Sequence, residues 1–252
     1  MRRASPLSAR GLRVLLRRWM GLVFALVGGR LWCALALGDT LCGCSSEDRR
    51  AMRATERLVV VGASEGGLQA LTRILSGLPA DFPCAIVAAI HTHESSPRYS
   101  AAILADQAQL PVVYAEHGAA LEPGRVYVAP PGAHTVVTGE GRLELDQGPK
   151  VHFTRPAADP LFGSAAKAFG AAVIGVVLTG GGSDGTAGLT AIHKRGGICV
   201  VQSPGEADAV QMPMNAIQYD NPDYIAFLDE IGPLLTRLAR EPFSGTHAPR
   251  RF

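Results

Sequence analysis

Leu58-Val59-Val60-Val61-Gly62-Ala63-Ser64-Glu65-Gly66-Gly67 is the stretch on which the fold turns. Four apolar residues without a polar interruption predict a short strand buried on both faces. The glycines behind them let the chain reverse sharply. Leu68, Leu71, Ile74, Leu75 and Leu78 then recur at helical spacing. Strand, glycine turn and helix in that order open a parallel α/β sheet.

Working outward, residues 82–90 read as a second buried strand ending at His91. Ser95-Ser96-Pro97 predicts a cap and first turn for a helix running to about Gln107, and residues 111–115 a third strand. The middle changes character. Residues 125–130, 134–138 and 142–145, with Gly139-Glu140-Gly141 between the last two, are hairpin material and predict an antiparallel edge on the sheet. After the loop Arg155-Pro156-Ala157-Ala158-Asp159-Pro160 comes a small-residue helix to Phe169. Residues 172–178 read as a strand, Thr179-Gly180-Gly181-Gly182-Ser183-Asp184-Gly185 as a turn, and residues 186–194 as a helix. Residues 198–202 read as the last strand, Met212-Pro213 opens a short helix, and residues 229–240 form a terminal one. The expected fold is α/β: a doubly wound, mostly parallel, Rossmann-like sheet with helices on both faces and an antiparallel hairpin edge.

A 252-residue chain with 47% apolar residues and mean hydropathy +0.16 excludes a disordered or collagen-like protein. Its net charge of +2 averages two unlike parts. Residues 1–51 carry nine arginines against Asp39, Glu47 and Asp48, a net +6; residues 52–252 carry 15 basic and 19 acidic residues, a net −4. A mildly acidic domain does not suit nucleic acid as a ligand. Cys84 and Cys199 stand singly in apolar runs, the usage of a reducing compartment, here the cytoplasm.

Residues 1–51 form a basic and apolar extension. Arg30 interrupts the apolar run of residues 19–37, which makes it a poor membrane span, while Leu41-Cys42-Gly43-Cys44 resembles a lipoprotein cleavage box. Met52 stands just before the first strand and suits a start codon, so an upstream translation, a membrane anchor and an export signal all stay open. The folded domain is expected over residues 52–241, with a disordered tail over 242–252.

Three reactive side chains fall at predicted strand ends, where α/β sheets bind their ligands: Ser64, His91 and Asp184. Gly62-x-Ser64-x-Gly66 projects a hydroxyl from a sharp turn, with helix N–H groups ready for an oxyanion. Serine needs a base to take its proton, and the base needs a third group to orient it. Each residue also has a plainer use. The glycine turn suits a phosphate cradle, His91 a loop, and Asp184 the cap of the helix at Thr186, while His93 competes as the base.

From about residue 58 to residue 240 the chain resembles the catalytic domain of the CheB-type chemotaxis protein-glutamate methylesterases. Val61-Gly62-Ala63-Ser64-x-Gly66-Gly67, His91, Pro123-Gly124-Arg125-Val126-Tyr127-Val128-Ala129-Pro130, Arg155-Pro156-x-x-Asp159, Leu178-Thr179-Gly180-x-Gly182-x-Asp184-Gly185 and Met212-Pro213 carry the likeness in order. The resemblance implies Ser64 as nucleophile, His91 as general base and acid, and Asp184 as the residue holding the imidazole. It also implies hydrolysis of glutamate γ-methyl esters, with glutamine deamidation, on methyl-accepting chemotaxis receptors, without metal or cofactor. Glu65, Gly181, Gly182 and Met212 are then the oxyanion and substrate-loop residues. Glu65 stands where the family usually has threonine, Gly181 where it has methionine, and Ile90-His91-Thr92-His93 where it has Gln-His-Met-Pro. The 51 residues ahead are too few for a phospho-acceptor domain of about 100, so no phosphorylation control in cis is expected.

Two other classes stay open. An α/β-hydrolase would order its triad Ser, Asp, His, whereas here the order is Ser64, His91, Asp184. A nucleotide-binding protein would carry an acid at the end of the second strand, where His91 stands, and an inactive scaffold would keep the fold with changes such as Glu65 and Gly181.

Overall fold

The computed structural model describes residues 56–241. The expectations for residues 1–51 and for the tail from 242 lie outside these residues. Nine strands and six α-helices follow one another: β1 Leu58–Ala63, α1 Gly67–Ser76, β2 Ala85–Ile90, α2 Ser100–Gln107, β3 Val112–Tyr114, β4 Val126–Val128, β5 His134–Val137, β6 Leu143–Asp146, α3 Ala158–Phe169, β7 Val173–Val177, α4 Thr186–His193, β8 Ile198–Gln202, α5 Gln211–Asp220, β9 Tyr224–Ala226 and α6 Leu228–Arg240.

Seven strands form one parallel sheet in the order β3-β4-β2-β1-β7-β8-β9. Alternation along β1 divides the core between the two faces of the sheet. Val59, Val61 and Ala63 meet Leu71, Ile74 and Leu75 of α1 and Ile231 and Leu235 of α6. Leu58 and Val60 lie in the opposite cluster with Leu161 and Phe162 of α3 and Leu189 and Ile192 of α4. This is the doubly wound arrangement that the apolar strands predict.

Gly62 is the exception in β1, and it matters for the site. A Cβ there would lie 2.5 Å from Ala158 Cβ, so its absence lets the first turn of α3 press directly on the strand.

Five expectations need correction. The hairpin β5–β6 is its own two-stranded sheet and not an edge of the larger one. The stretch read with it, β4, instead pairs parallel between β2 and β3, because all three of its residues are buried on both faces. A further strand, β9, follows the one expected to be last; three residues after Asn221-Pro222 give too little periodicity to read. Helix α2 starts at Ser100, since Ser95 is used in a local turn, its N–H and hydroxyl meeting His93 Nδ1. Helix α3 starts at Ala158, inside the expected loop; Pro160 fits the first turn, where its missing N–H costs no helical hydrogen bond.

Candidate active site

The carboxyl ends of β1, β2 and β7 meet where the strand order reverses, the point at which open α/β sheets leave a crevice. Ser64 follows β1 directly. The register Ala63↔Ile90, carried one residue further, sets Ser64 beside His91, and the His91 N–H continues the ladder to Ala63 O at 2.9 Å. Gly180 closes the opposite side; a Cβ there would lie 2.7 Å from Ser64 Cβ and 2.2 Å from Met212 Sδ. The Ser64 N–H donates to Thr179 O at 3.0 Å, so the turn is tied to the loop after β7.

Thr179 is the knot of that loop and is 1% exposed. Its N–H donates to Gln202 Oε1 at 2.7 Å, its hydroxyl donates to Glu65 O at 3.0 Å, and the same oxygen accepts the Ala209 N–H at 2.8 Å. Three loops of the rim are thereby held by one small side chain.

His91 Nε2 lies 2.6 Å from Asp184 Oδ2. The His91 side chain is 11% exposed and that of Asp184 is 1% exposed. Asp184 does more than hold the imidazole. Its Oδ2 also accepts the Ala158 N–H at 2.5 Å, and its Oδ1 accepts the N–H groups of Asp159 and Gly185, both at 3.0 Å. Ala158 and Asp159 open α3, so Asp184 caps a helix distant in sequence and meets its positive dipole end. The helix it was expected to cap, α4, has Gly185 at its N-cap and takes only that residue's N–H. Burial alone would raise the Asp184 pKa; hydrogen bonds from His91, Ala158 and Asp159 outweigh it and hold the carboxyl below its ordinary value. The carboxylate therefore stays charged and fixes the ring, leaving Nδ1 as the nitrogen available to Ser64. No hydrogen bond joins the Ser64 hydroxyl to that ring among the described residues, and such contacts often tighten only when substrate is bound.

His93, the rival base, is exposed and engages the Ser95 hydroxyl at 2.7 Å, so no carboxylate orients it among the described residues. Glu65 and Gly181 are exposed at the rim. The Gly180 N–H is committed to Ala209 O, while among the described residues the Gly181 N–H has no partner, and a Cβ at Gly181 would stand in open space. Gly182 takes φ +82°, and its carbonyl accepts Asn215 Nδ2 at 2.8 Å. Met212 is fully buried beneath Gly180, so it floors the loop and does not line the surface.

Sequence reading missed three parts of this region. The first is the α3 N-terminus at Asp184, whose signal is Arg155-Pro156-x-x-Asp159. The second is a pair parallel to the first, His152 Nε2 to Asp159 Oδ2 at 2.9 Å. The third is a cavity of about 300 Å³ beside His91, lined by Glu94, Lys150, Phe153, Thr154 and Arg155 among others. Lys150 and Arg155 both reach Glu94, at 3.3 and 2.9 Å, and Phe153 stands 97% exposed at φ +64°.

His152, Asp159 and Asp184 place one donor atom each within 4.8 Å of one another, which is a metal-like spacing. All four oxygens of the two carboxylates already accept hydrogen bonds, so the set is a proton-positioning network and not a free ligand set.

The CheB methylesterase family model matches residues 59–235, which contain the whole rim. The chain belongs to the CheB methylesterase family. It is 39% identical over 178 residues to protein-glutamate methylesterase FrzG of Myxococcus xanthus, covering 71% of this chain and 53% of that protein. It is 37% identical over 180 residues to a putative protein-glutamate methylesterase/protein-glutamine glutaminase of Leptospira interrogans, covering 71% and 93%. The crystal structure of the Thermotoga maritima CheB methylesterase catalytic domain superposes with a TM-score of 0.69 at 31% identity, over 73% of this chain and 98% of that one. The chain thus spans about half the length of the Myxococcus relative and nearly all of the catalytic domain alone.

Proposed function

We propose that residues 52–241 hydrolyse glutamate γ-methyl esters on methyl-accepting chemotaxis receptors, with Ser64 as nucleophile, His91 as general base and acid, and Asp184 as its orienting partner. The observation that carries this reading is the 2.6 Å contact of His91 Nε2 with a buried, charged Asp184, at the strand end beside Ser64. Ser64 Oγ attacks the ester carbonyl as His91 Nδ1 takes its proton. The tetrahedral intermediate collapses, and His91 returns that proton to the departing methanol. Water then gives a proton to the same nitrogen, its oxygen attacks the acyl-enzyme, Ser64 leaves reprotonated, and the carboxylic acid formed ionises by releasing its proton to solvent. With glutamine, ammonia departs in place of methanol.

The Gly181 N–H and the N–H groups entering α1 are the donors for the oxyanion. No cofactor or metal takes part in these steps. The cavity beside His91 is open to solvent, with Glu94, Lys150 and Arg155 in its lining, which suits an ester on the surface of a protein better than a small molecule enclosed by the site. The free, buried thiols of Cys84 and Cys199 fit a reducing compartment such as the cytoplasm; among the described residues no helix is long and apolar enough to cross a membrane.

The test is methanol release from a methylated receptor by the full chain and by its Ser64→Ala variant, with a serine-directed phosphonate as label. Release and labelling in the parent, both lost in Ser64→Ala, are expected. Labelling that survives the substitution removes Ser64 from the mechanism, and a parent that releases no methanol leaves an inactive scaffold.

A further inference from the structure

At the other end of the sheet, near the amino ends of β8 and β9, three metal-ligating side chains converge from three separate segments, with a further carboxylate beside them. His193 ends α4, Cys199 is the second residue of β8, and Asp220 and Asp223 flank the turn between α5 and β9. The catalytic steps use none of them. From this cluster we propose that His193, Cys199 and Asp223, with Asp220 beside them, form a binding site for a divalent transition-metal ion of the zinc type.

Geometry supplies the first reason. His193, Cys199 and Asp223 each bring one donor atom within 4.8 Å of the other two. Bonds of about 2.0–2.3 Å set the ligands of a tetrahedral ion roughly 3.5 Å apart, so a contraction of about 1 Å completes the set. Three protein ligands leave the fourth position of the ion to a water, and Asp220 adds a second negative charge beside the set.

The second reason is independent of spacing. Asp220 is only 9% exposed, yet its Oδ2 is buried without a hydrogen-bond partner among the described residues, and so is His193 Nδ1. Buried polar atoms are normally satisfied, and two orphans on neighbouring residues need an explanation. The Asp159–Asp184 network makes the contrast, because every carboxylate oxygen there is occupied. Charge points the same way. Neither Asp220 nor Asp223 has a lysine or arginine within ion-pair distance among the described residues, so two carboxylates share a pocket that a dication would balance.

Donor type selects the ion. A thiol and an imidazole with a carboxylate suit Zn²⁺ or Co²⁺, whereas Mg²⁺ and Ca²⁺ prefer oxygen alone. Without metal the Cys199 thiol stays protonated, burial first and then the Asp220 charge pushing its pKa up, and it donates to Leu189 O at 3.5 Å. Binding forms the metal–sulfur bond and releases that proton to solvent, as coordination ionises a thiol. The ion then clips α4, β8 and the α5–β9 turn together, on the side of the sheet away from Ser64.

The experiment titrates the full chain with Co²⁺ alone and follows the thiolate-to-cobalt charge-transfer band in the near ultraviolet. Cys33, Cys42 and Cys44 are replaced by serine throughout, so that only Cys84 and Cys199 remain. One equivalent is expected to give the band, and Zn²⁺ to displace it. Cys199→Ser should abolish the band, Cys84→Ser should keep it, and His193→Gln, at a half-buried position that tolerates change, should weaken binding about tenfold or more. Circular dichroism checks that each variant is folded, and methanol release by His193→Gln should match the parent. No band in the parent, or a band that Cys199→Ser and His193→Gln both leave intact, overturns the site. Either failure leaves the esterase reading untouched.

Discussion

Two histidine–aspartate pairs lie side by side in this molecule, His91–Asp184 and His152–Asp159, and they differ in what surrounds the carboxylate. The first is 2.6 Å long with side chains 11% and 1% exposed; the second is 2.9 Å long with side chains 41% and 13% exposed. Asp184 accepts three backbone N–H groups, two of them from the start of α3. Asp159 accepts one, from Gly188 at 2.7 Å. Their proton affinities accordingly move in opposite directions. Asp184 is held below the ordinary carboxyl value, whereas burial, aided by the nearby charge of Asp184, pushes Asp159 above it. A histidine alone does not make a carboxylate reliably anionic in a buried place; the supply of backbone donors does.

The sharpest way to break this contrast is to remove one charge at a time. Asp184→Asn puts an amide where both oxygens accept, turns a donor toward the Ala158 N–H or the imidazole, and favours the wrong tautomer of His91. Its kcat for methanol release is expected to fall roughly 10³- to 10⁴-fold, the scale seen when the orienting carboxylate of a triad becomes an amide. Asp159→Asn keeps the acceptor that Gly188 needs and should stay far closer to the parent. Equal losses in the two variants would mean that the pairs do the same work.

Acid unfolding separates the pairs by sign. Asp184 titrates lower in the folded chain, so its stabilisation is present above the unfolded value of about 3.9 and is lost as pH falls through the lower folded value. Asp159 titrates higher, so its penalty is absent below about 3.9 and complete only above the raised folded value. In urea melts Asp184→Asn should therefore cost about 1–3 kcal/mol near neutrality through unsatisfied buried donors, and less in acid. Asp159→Asn should gain stability relative to the parent as the pH rises from about 3 to about 7. Parallel profiles for the two variants would refute the opposed shifts.

The smallest effect belongs to His152→Ala. An ion pair with one partner 41% exposed is worth at most about 1 kcal/mol, and the midpoint of a denaturant melt should move little. A larger loss would mean that the second pair shares the structural duty of the first.

Most of the rim was legible before any coordinates, because continuous apolar strands end in reactive side chains and the sequence carries those side chains in a family order. What could not be read depends on contacts between distant segments. Asp184 looks like the cap of the helix just after it, and only the press of Ala158 on Gly62 brings the start of α3 to its oxygens. Cys199 reads as a lone buried thiol because its neighbours Asp220 and Asp223 come from a turn more than 20 residues away. Strand β9 was lost to its brevity, and β4 was grouped with the hairpin because a short apolar run does not state its pairing direction.

The sheet order carries one more consequence. Ser64, His91 and Asp184 hang from β1, β2 and β7, the three middle strands of seven, with β3 and β9 at the margins. Local opening begins where few neighbours hold a segment. Breathing at either border therefore leaves the meeting of those three strand ends intact, and amide deuteration should spread from the outer strands inward.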